Sequence, residues 1–112
     1  MRNFLRSFGW ATNGLRIVWR EERNFRVDVV VAVVVAIAAY LRDFAPWQWI
    51  ILVILIGWVL MGEIVNTAIE DICDKIEPQR DPVIGKIKDA MAGYVLVSAI
   101  SAAIAGVMLF FF

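Results

Sequence analysis

The sequence predicts an all-α membrane protein, with three transmembrane helices preceded by an N-terminal amphipathic surface helix. Three observations carry this. First, 62% of the 112 residues are hydrophobic and the mean hydropathy is +0.75. A soluble chain this small could not bury so much apolar side chain. Second, three uncharged runs of membrane-relevant length alternate with short charged stretches. Third, 11 basic and 11 acidic residues cancel in number but are placed very unevenly. With a net charge of zero, a nucleic-acid partner is not expected. The single cysteine, Cys73, excludes an intrachain disulfide. Met1 to Phe25 carries charges throughout and lacks the apolar core of a signal peptide.

The chain reads as one membrane domain over residues 1–112, beginning with a surface helix at about 2–24. On a helical wheel, Phe4, Phe8, Ala11, Leu15, Val18 and Glu22 fall within about 40° of one direction. Arg2, Arg6, Arg16 and Arg20 gather opposite, as in a helix lying in the membrane interface. Glu22 breaks the pattern: it is an acid on the apolar side and needs a partner.

The first span is expected at about 27–42. Its apolar core, Val29 to Leu41, has only 13 residues, so Asn24 to Asp28 and Arg42 are expected in the headgroup layers. Although valine-rich, it is read as helix, because a lone strand in lipid leaves its backbone unsatisfied. Pro46 suits the start of the second span, about 46–76, and Trp47 and Trp49 suit an interfacial belt. The 19 uncharged residues from Phe44 to Gly62 make about 28 Å of helix, which puts Glu63 at the membrane boundary. Pro78 and Pro82 bound the one clear loop. The third span, about 84–112, contains 23 uncharged residues from Ala90 onward. Small residues, among them Ala92, Gly93, Ser98 and Gly106, are expected to allow close helix packing.

Basic residues cluster before the first span and between the second and third, and only Arg42 lies on the other side. The positive-inside rule therefore places the N-terminus and second loop in the cytoplasm and the C-terminus outside.

Glu63, Asn66, Glu70 and Asp74 occupy a stripe roughly 80° wide on one helix. Like charges at i,i+4 repel, so a cation is expected to offset them. Glu22, Lys88 and Asp89 are expected at the same boundary, with Lys88 and Asp89 level with Glu63. Carboxylates with an amide, in a chain without histidine, suit a hard cation such as Mg²⁺ and not zinc. A neighbouring lysine suits phosphate. These parts fit phosphoryl transfer, with an interfacial carboxylate accepting a proton from a lipid hydroxyl. No nucleotide-binding glycine loop accompanies them: Gly85-Lys86 is followed by Ile87 where Ser or Thr is needed. Asp71 and Glu77 read as solvated surface and Lys75 and Lys86 as interfacial anchors.

The string Glu63-Ile64-Val65-Asn66-Thr67-Ala68-Ile69-Glu70 with Asp74 resembles the signature of the bacterial diacylglycerol kinase and undecaprenol kinase family. So do Asn13-Gly14-Leu15, Glu22-Arg23-Asn24-Phe25-Arg26 and Lys88-Asp89 followed by Ala90-Met91-Ala92-Gly93. The resemblance implies a homotrimer with sites shared between protomers, Mg²⁺ as cofactor, ATP as phosphoryl donor and a membrane lipid alcohol as acceptor. It implies Glu63 as catalytic base, and Glu22 and Glu70 as metal ligands that also bind ATP. It further implies Lys88, Asp89 and Trp10 as nucleotide contacts and Asn66 and Asp74 as supporting residues. Asp81 stands where many members carry His, and Gly93 with its neighbours looks more like the undecaprenol-kinase branch. The expected localisation is the bacterial cytoplasmic (inner) membrane. The rival reading is a small oligomeric channel or transporter whose acids bind a cation in transit; that function favours acids near mid-bilayer.

Overall fold

Four helices make up nearly all of the chain in the computed structural model, which describes residues 2–112. They are α1 (Arg2–Glu21), α2 (Arg23–Leu41), α3 (Pro46–Ile76) and α4 (Pro82–Phe111). The last three are long and apolar enough to cross a membrane. α2 has 19 residues, about 28 Å of helix and enough for one crossing. It reaches that length because it starts at Arg23, ahead of the valine run. α3 and α4, of 31 and 30 residues, are each about 45 Å long and exceed a hydrocarbon layer of roughly 30 Å. The acids and the lysine of α3 all lie between Glu63 and Lys75, so its excess length projects at that end.

Local chemistry sets each boundary. Glu22, in extended backbone (φ −110°, ψ 107°), separates α1 from α2. The Arg26 guanidinium donates to the carbonyls of Trp19 (2.6 Å) and Arg20 (3.0 Å), satisfying acceptors left at the end of α1. At the other end of α2, Asp43 adopts φ 54°, a left-handed conformation that Asp tolerates better than most residues. Phe44 N–H reaches back to Ala39 O (3.1 Å) and Asp43 N–H to Tyr40 O (3.2 Å), a Schellman closure. Pro46 opens α3, and the Gln48 side chain accepts from Ala45 N–H at 2.8 Å. Asp81 caps α4: its Oδ2 accepts from Val83 N–H and Ile84 N–H, both at 3.0 Å.

α3 is the centre of the bundle and packs most extensively on α4, then on α2, while α1 touches mainly α2. The α3–α4 contact is close at Gly62, where an added Cβ would meet Ser98 Oγ and the Tyr94 ring at 3.4 Å. Ser98 is correspondingly buried. Gly93 and Gly106, expected among the packing residues, have nothing within 4 Å of an added Cβ, and Gly106 lines an open groove between α2, α3 and α4. At the far end, Arg42 Nη2 donates to Phe110 O (2.7 Å) and its guanidinium lies over the Phe111 ring, tying the end of α4 to the α2–α3 turn. On α1, Val18 is buried, whereas Phe4, Phe8 and Leu15 of the same face remain exposed. Only the C-terminal part of that apolar face meets the rest of the protomer.

Candidate active site

The acidic face of α3 is the scaffold of the site. Glu63 ends the uncharged run and is only 6% exposed. One turn on, buried Thr67 returns its hydroxyl to Glu63 O (2.9 Å), so it contributes no donor to the carboxylates. Asn66 Nδ2 donates to Glu70 Oε1 at 3.4 Å, so the amide steadies the second acid. Further along, Asp74 accepts a charge-assisted hydrogen bond from Lys88 Nζ of α4, with both side chains partly exposed.

That ion pair corrects one expectation. Lys88 is not level with Glu63; it is level with Asp74, which lies 11 residues further along α3, about 16 Å along the axis. The cause is the short connection. With α3 ending at Ile76 and α4 starting at Pro82, the helices run antiparallel. The same register sets Asp74 against Lys88 and Gly62 against Ser98. The polar groups therefore form an elongated strip, with Glu63 at the buried end and Lys88 at the exposed end.

Glu22 reaches the middle of this strip from the α1–α2 junction. It is half-buried and makes no capping bond of its own. Burial raises its pKa above the ordinary carboxylate value, and Glu70, Asp71 and Glu21 raise it further against the opposing charge of Arg26. Glu63 in turn lies within electrostatic reach of Glu22 and Glu70. Glu22 thus shares one neighbourhood with Glu63 and Glu70, which lie some 40 residues or more further along the chain. Among the described residues, no group of three metal-binding side chains converges into a ready cage. Mg²⁺ needs less than that: one or two carboxylates, with water and phosphate oxygens completing the shell. Glu22 and Glu70 offer hard oxygen donors whose crowding a divalent cation would relieve, so the donor set fits.

Trp10 (69% exposed) and Asp89 have no side-chain hydrogen bond to the strip among the described residues. Asp81 spends its carboxylate on capping α4, which gives an acid a structural use at that position.

Asp28 is the residue that sequence reasoning missed. It turns inward: its Oδ2 is wholly buried and its carboxyl lies within electrostatic reach of Glu63. A signal was available. Asp28 shares a helix face with Phe25, Ala32 and Ala39, and Phe25 and Ala39 are buried. In a run where almost every position is apolar, that face leaves no amphipathic trace.

Comparison with known proteins identifies the family. The family described as prokaryotic diacylglycerol kinase matches residues 9–110. The undecaprenol kinase of Bacillus subtilis is 36% identical over 110 residues, covering 98% of this chain and 89% of that one. A diacylglycerol kinase of Synechocystis is 35% identical over 105 residues, covering 93% of this chain and 60% of that longer one. The diacylglycerol kinase of Escherichia coli K12 is 29% identical over 100 residues, covering 89% and 82% respectively.

Proposed function

The chain belongs to the prokaryotic diacylglycerol kinase family, and from that membership we propose that it transfers the terminal phosphoryl group of ATP to the hydroxyl of a membrane lipid alcohol. The acceptor is undecaprenol or diacylglycerol, the lipids for which the relatives are named. The observation that carries the reading is the depth order of the strip: buried Glu63, then Glu70 with Asn66 and Glu22 beside it, then exposed Asp74 with Lys88. A lipid hydroxyl arrives from the membrane side and a nucleotide from the water side. This order lets each meet the groups suited to it.

Glu63 takes the proton of the acceptor hydroxyl as that oxygen attacks. Glu22 and Glu70 would hold Mg²⁺, which when bound neutralises phosphate oxygens. Asn66 keeps the Glu70 carboxylate in place through its amide. Lys88, steadied by Asp74, balances phosphate charge, while Asp89 and Trp10 contact the rest of the nucleotide. The homotrimeric bundle, with sites shared between protomers, belongs to the same reading. So does placement in the bacterial cytoplasmic membrane, with the N-terminus and second loop inside and the C-terminus outside. The surface helix α1 lies in the inner interface, its exposed Phe4, Phe8 and Leu15 towards lipid. A cation channel has no support here, because the acids gather at one end of the spans and not at their middle.

The test is transfer of radiolabelled phosphate from ATP to undecaprenol and to diacylglycerol in mixed micelles. The wild-type protein labels one or both lipids. E63Q keeps its fold and loses about 10²- to 10⁴-fold in rate, the contribution of a general base. Normal turnover by E63Q would end the assignment.

A further inference from the structure

The acidic face of α3 continues below Glu63 as an apolar one. Leu52, Leu55, Ile56, Val59 and Leu60 all lie within about 80° of Glu63 around the helix axis. These side chains form one wall of a groove of about 530 Å³ between α2, α3 and α4. Valines and alanines of α2 form a second wall. The third, on α4, is Ala99, Ala102, Ala103 and Gly106, small residues at helical spacing that leave the groove its width. Among the described residues that line it, only Asp28 is charged. Asp28 stands at the same end as Glu63, and its buried Oδ2 has no hydrogen-bond partner, which leaves a place for a polar group there.

The far end is closed by Phe110 and Phe111. Neither ring is left free to swing. Arg42 Nη2 donates to Phe110 O at 2.7 Å, and its guanidinium lies 5.5 Å from the centre of the Phe111 ring. The Phe44 ring packs on that of Phe110 with 4.7 Å between centroids. Between Ala99 and this stop the groove follows 11 residues of α4, about 16 Å along the axis.

An apolar channel with one polar end matches an amphiphile, a hydrocarbon chain with one polar end. Continuity with the acidic face says which amphiphile, because a chain lying against Leu52 to Leu60 brings its polar end to Glu63. We propose that the groove seats the hydrocarbon chain of the lipid acceptor, and that Arg42 is a specificity-determining residue, fixing the depth of the groove by pinning Phe110 and Phe111 across its far end. This rests on the lipid-kinase reading above. A lipid already in a membrane gains no hydrophobic free energy by entering such a groove. The groove therefore acts by placement, holding the hydroxyl at the base. A chain longer than about 16 Å has to turn out into the membrane at the aromatic stop, whereas a shorter one lies straight.

Two measurements on the full chain in mixed micelles test this. The first uses diacylglycerol and prenol analogues that carry a diazirine either near the hydroxyl or far along the chain. Photolabelling needs no turnover, so E63Q serves as well as wild type. The near probe labels α3 around Leu60, the far probe labels α4 between Ala102 and Phe110, and excess unlabelled acceptor suppresses both. Suppressible labels outside the groove, or in the reverse order along it, overturn the proposal. The second measurement compares kcat/KM for a long acceptor with that for a short one, within the class that wild type phosphorylates: dioleoylglycerol against dihexanoylglycerol, or undecaprenol against farnesol. A103F fills the groove and lowers this long-to-short ratio about tenfold, the effect of overpacking a fitted site, at an unchanged KM for ATP. R42M frees the aromatic stop and raises the ratio several-fold. An unchanged ratio in A103F overturns the groove, and an unchanged ratio in R42M overturns the role of Arg42. A103F that assembles with a different number of chains from wild type puts a second copy in the groove, and that also ends the proposal. Wild type that phosphorylates neither lipid class is a different failure: it ends the kinase reading, while labelling of E63Q still reports what the groove holds.

Discussion

Glu22 joins the most consequences to a single side chain: it is the break between two helices, a member of the acidic neighbourhood and a proposed cation ligand. Its pKa is raised by folding, so the protonated form is favoured in the folded state. A group shifted in this direction adds stability below its ordinary value, and that stability is lost as the pH rises through the raised value. At neutral pH the ionised side chain therefore opposes folding, and E22Q should melt higher than wild type in detergent. The gap should close as the pH is lowered through the ordinary carboxylate range. Added Mg²⁺ should narrow it from the other side by stabilising wild type more than E22Q. Thermal unfolding across about pH 4 to 8 reads this directly; a difference between the two proteins that ignores both pH and Mg²⁺ would falsify it. At this scale the sequence was partly legible. Glu63, Asn66 and Glu70 stand out because polar residues at helical spacing after a long apolar run have few innocent explanations. Glu22 stands out for the same reason, as an acid on an apolar face. Asp28 was hidden because the run that follows it, Val29 to Leu41, is apolar on every side, so periodicity could not tell an inward face from an outward one.

The helices themselves follow closely from sequence chemistry, because proline, capping side chains and a left-handed Asp43 set their ends. What periodicity does not give is the register between helices. The expectation that Lys88 stands level with Glu63 came from matching membrane boundaries, whereas the actual register follows from the length of the α3–α4 connection. The Asp74–Lys88 pair reports that register and predicts a separation of stability from function. Both side chains are partly exposed, so the pair adds little to folding. K88M should unfold close to wild type yet show a KM for ATP raised about tenfold or more, the loss of a charged contact to phosphate. The exchanged double variant, D74K with K88D, restores an ion pair between the same helices and should leave the KM as poor as in K88M. Recovery of nucleotide affinity by the exchange would mean that the pair acts only through helix register and that Lys88 does not touch nucleotide.

As a whole the protomer exposes far more apolar surface than it buries. Leu52, Phe25 and Ala39 are among its few buried apolar side chains, while long stretches of α2 and α4 are uncovered. Lipid covers such surface adequately, so exposure alone does not demand a partner. The chemistry is the stronger argument: the acids of one protomer do not close into a cage among the described residues, and the strip from Glu63 to Lys88 is elongated. In a cyclic trimer whose axis follows the membrane normal, rotation preserves depth, so each strip meets its neighbour's strip at matching levels. A nucleotide held at the exposed end by one protomer can then present its terminal phosphate to Glu63 of the next. Mixing two impaired variants, at ATP well below the wild-type KM, tests this. When E63Q and K88M are unfolded together, refolded at equal amounts and assayed, a random trimer with shared sites places an intact Glu63 beside a neighbour's intact Lys88 in about a quarter of its interfaces. About a quarter of wild-type activity should return, with each variant alone remaining near its own low value. If each site is contained within a single protomer, no arrangement of the two variants supplies both groups. The mixture then stays at the average of its components, and the shared-site trimer is excluded even if cross-linking still finds three chains together.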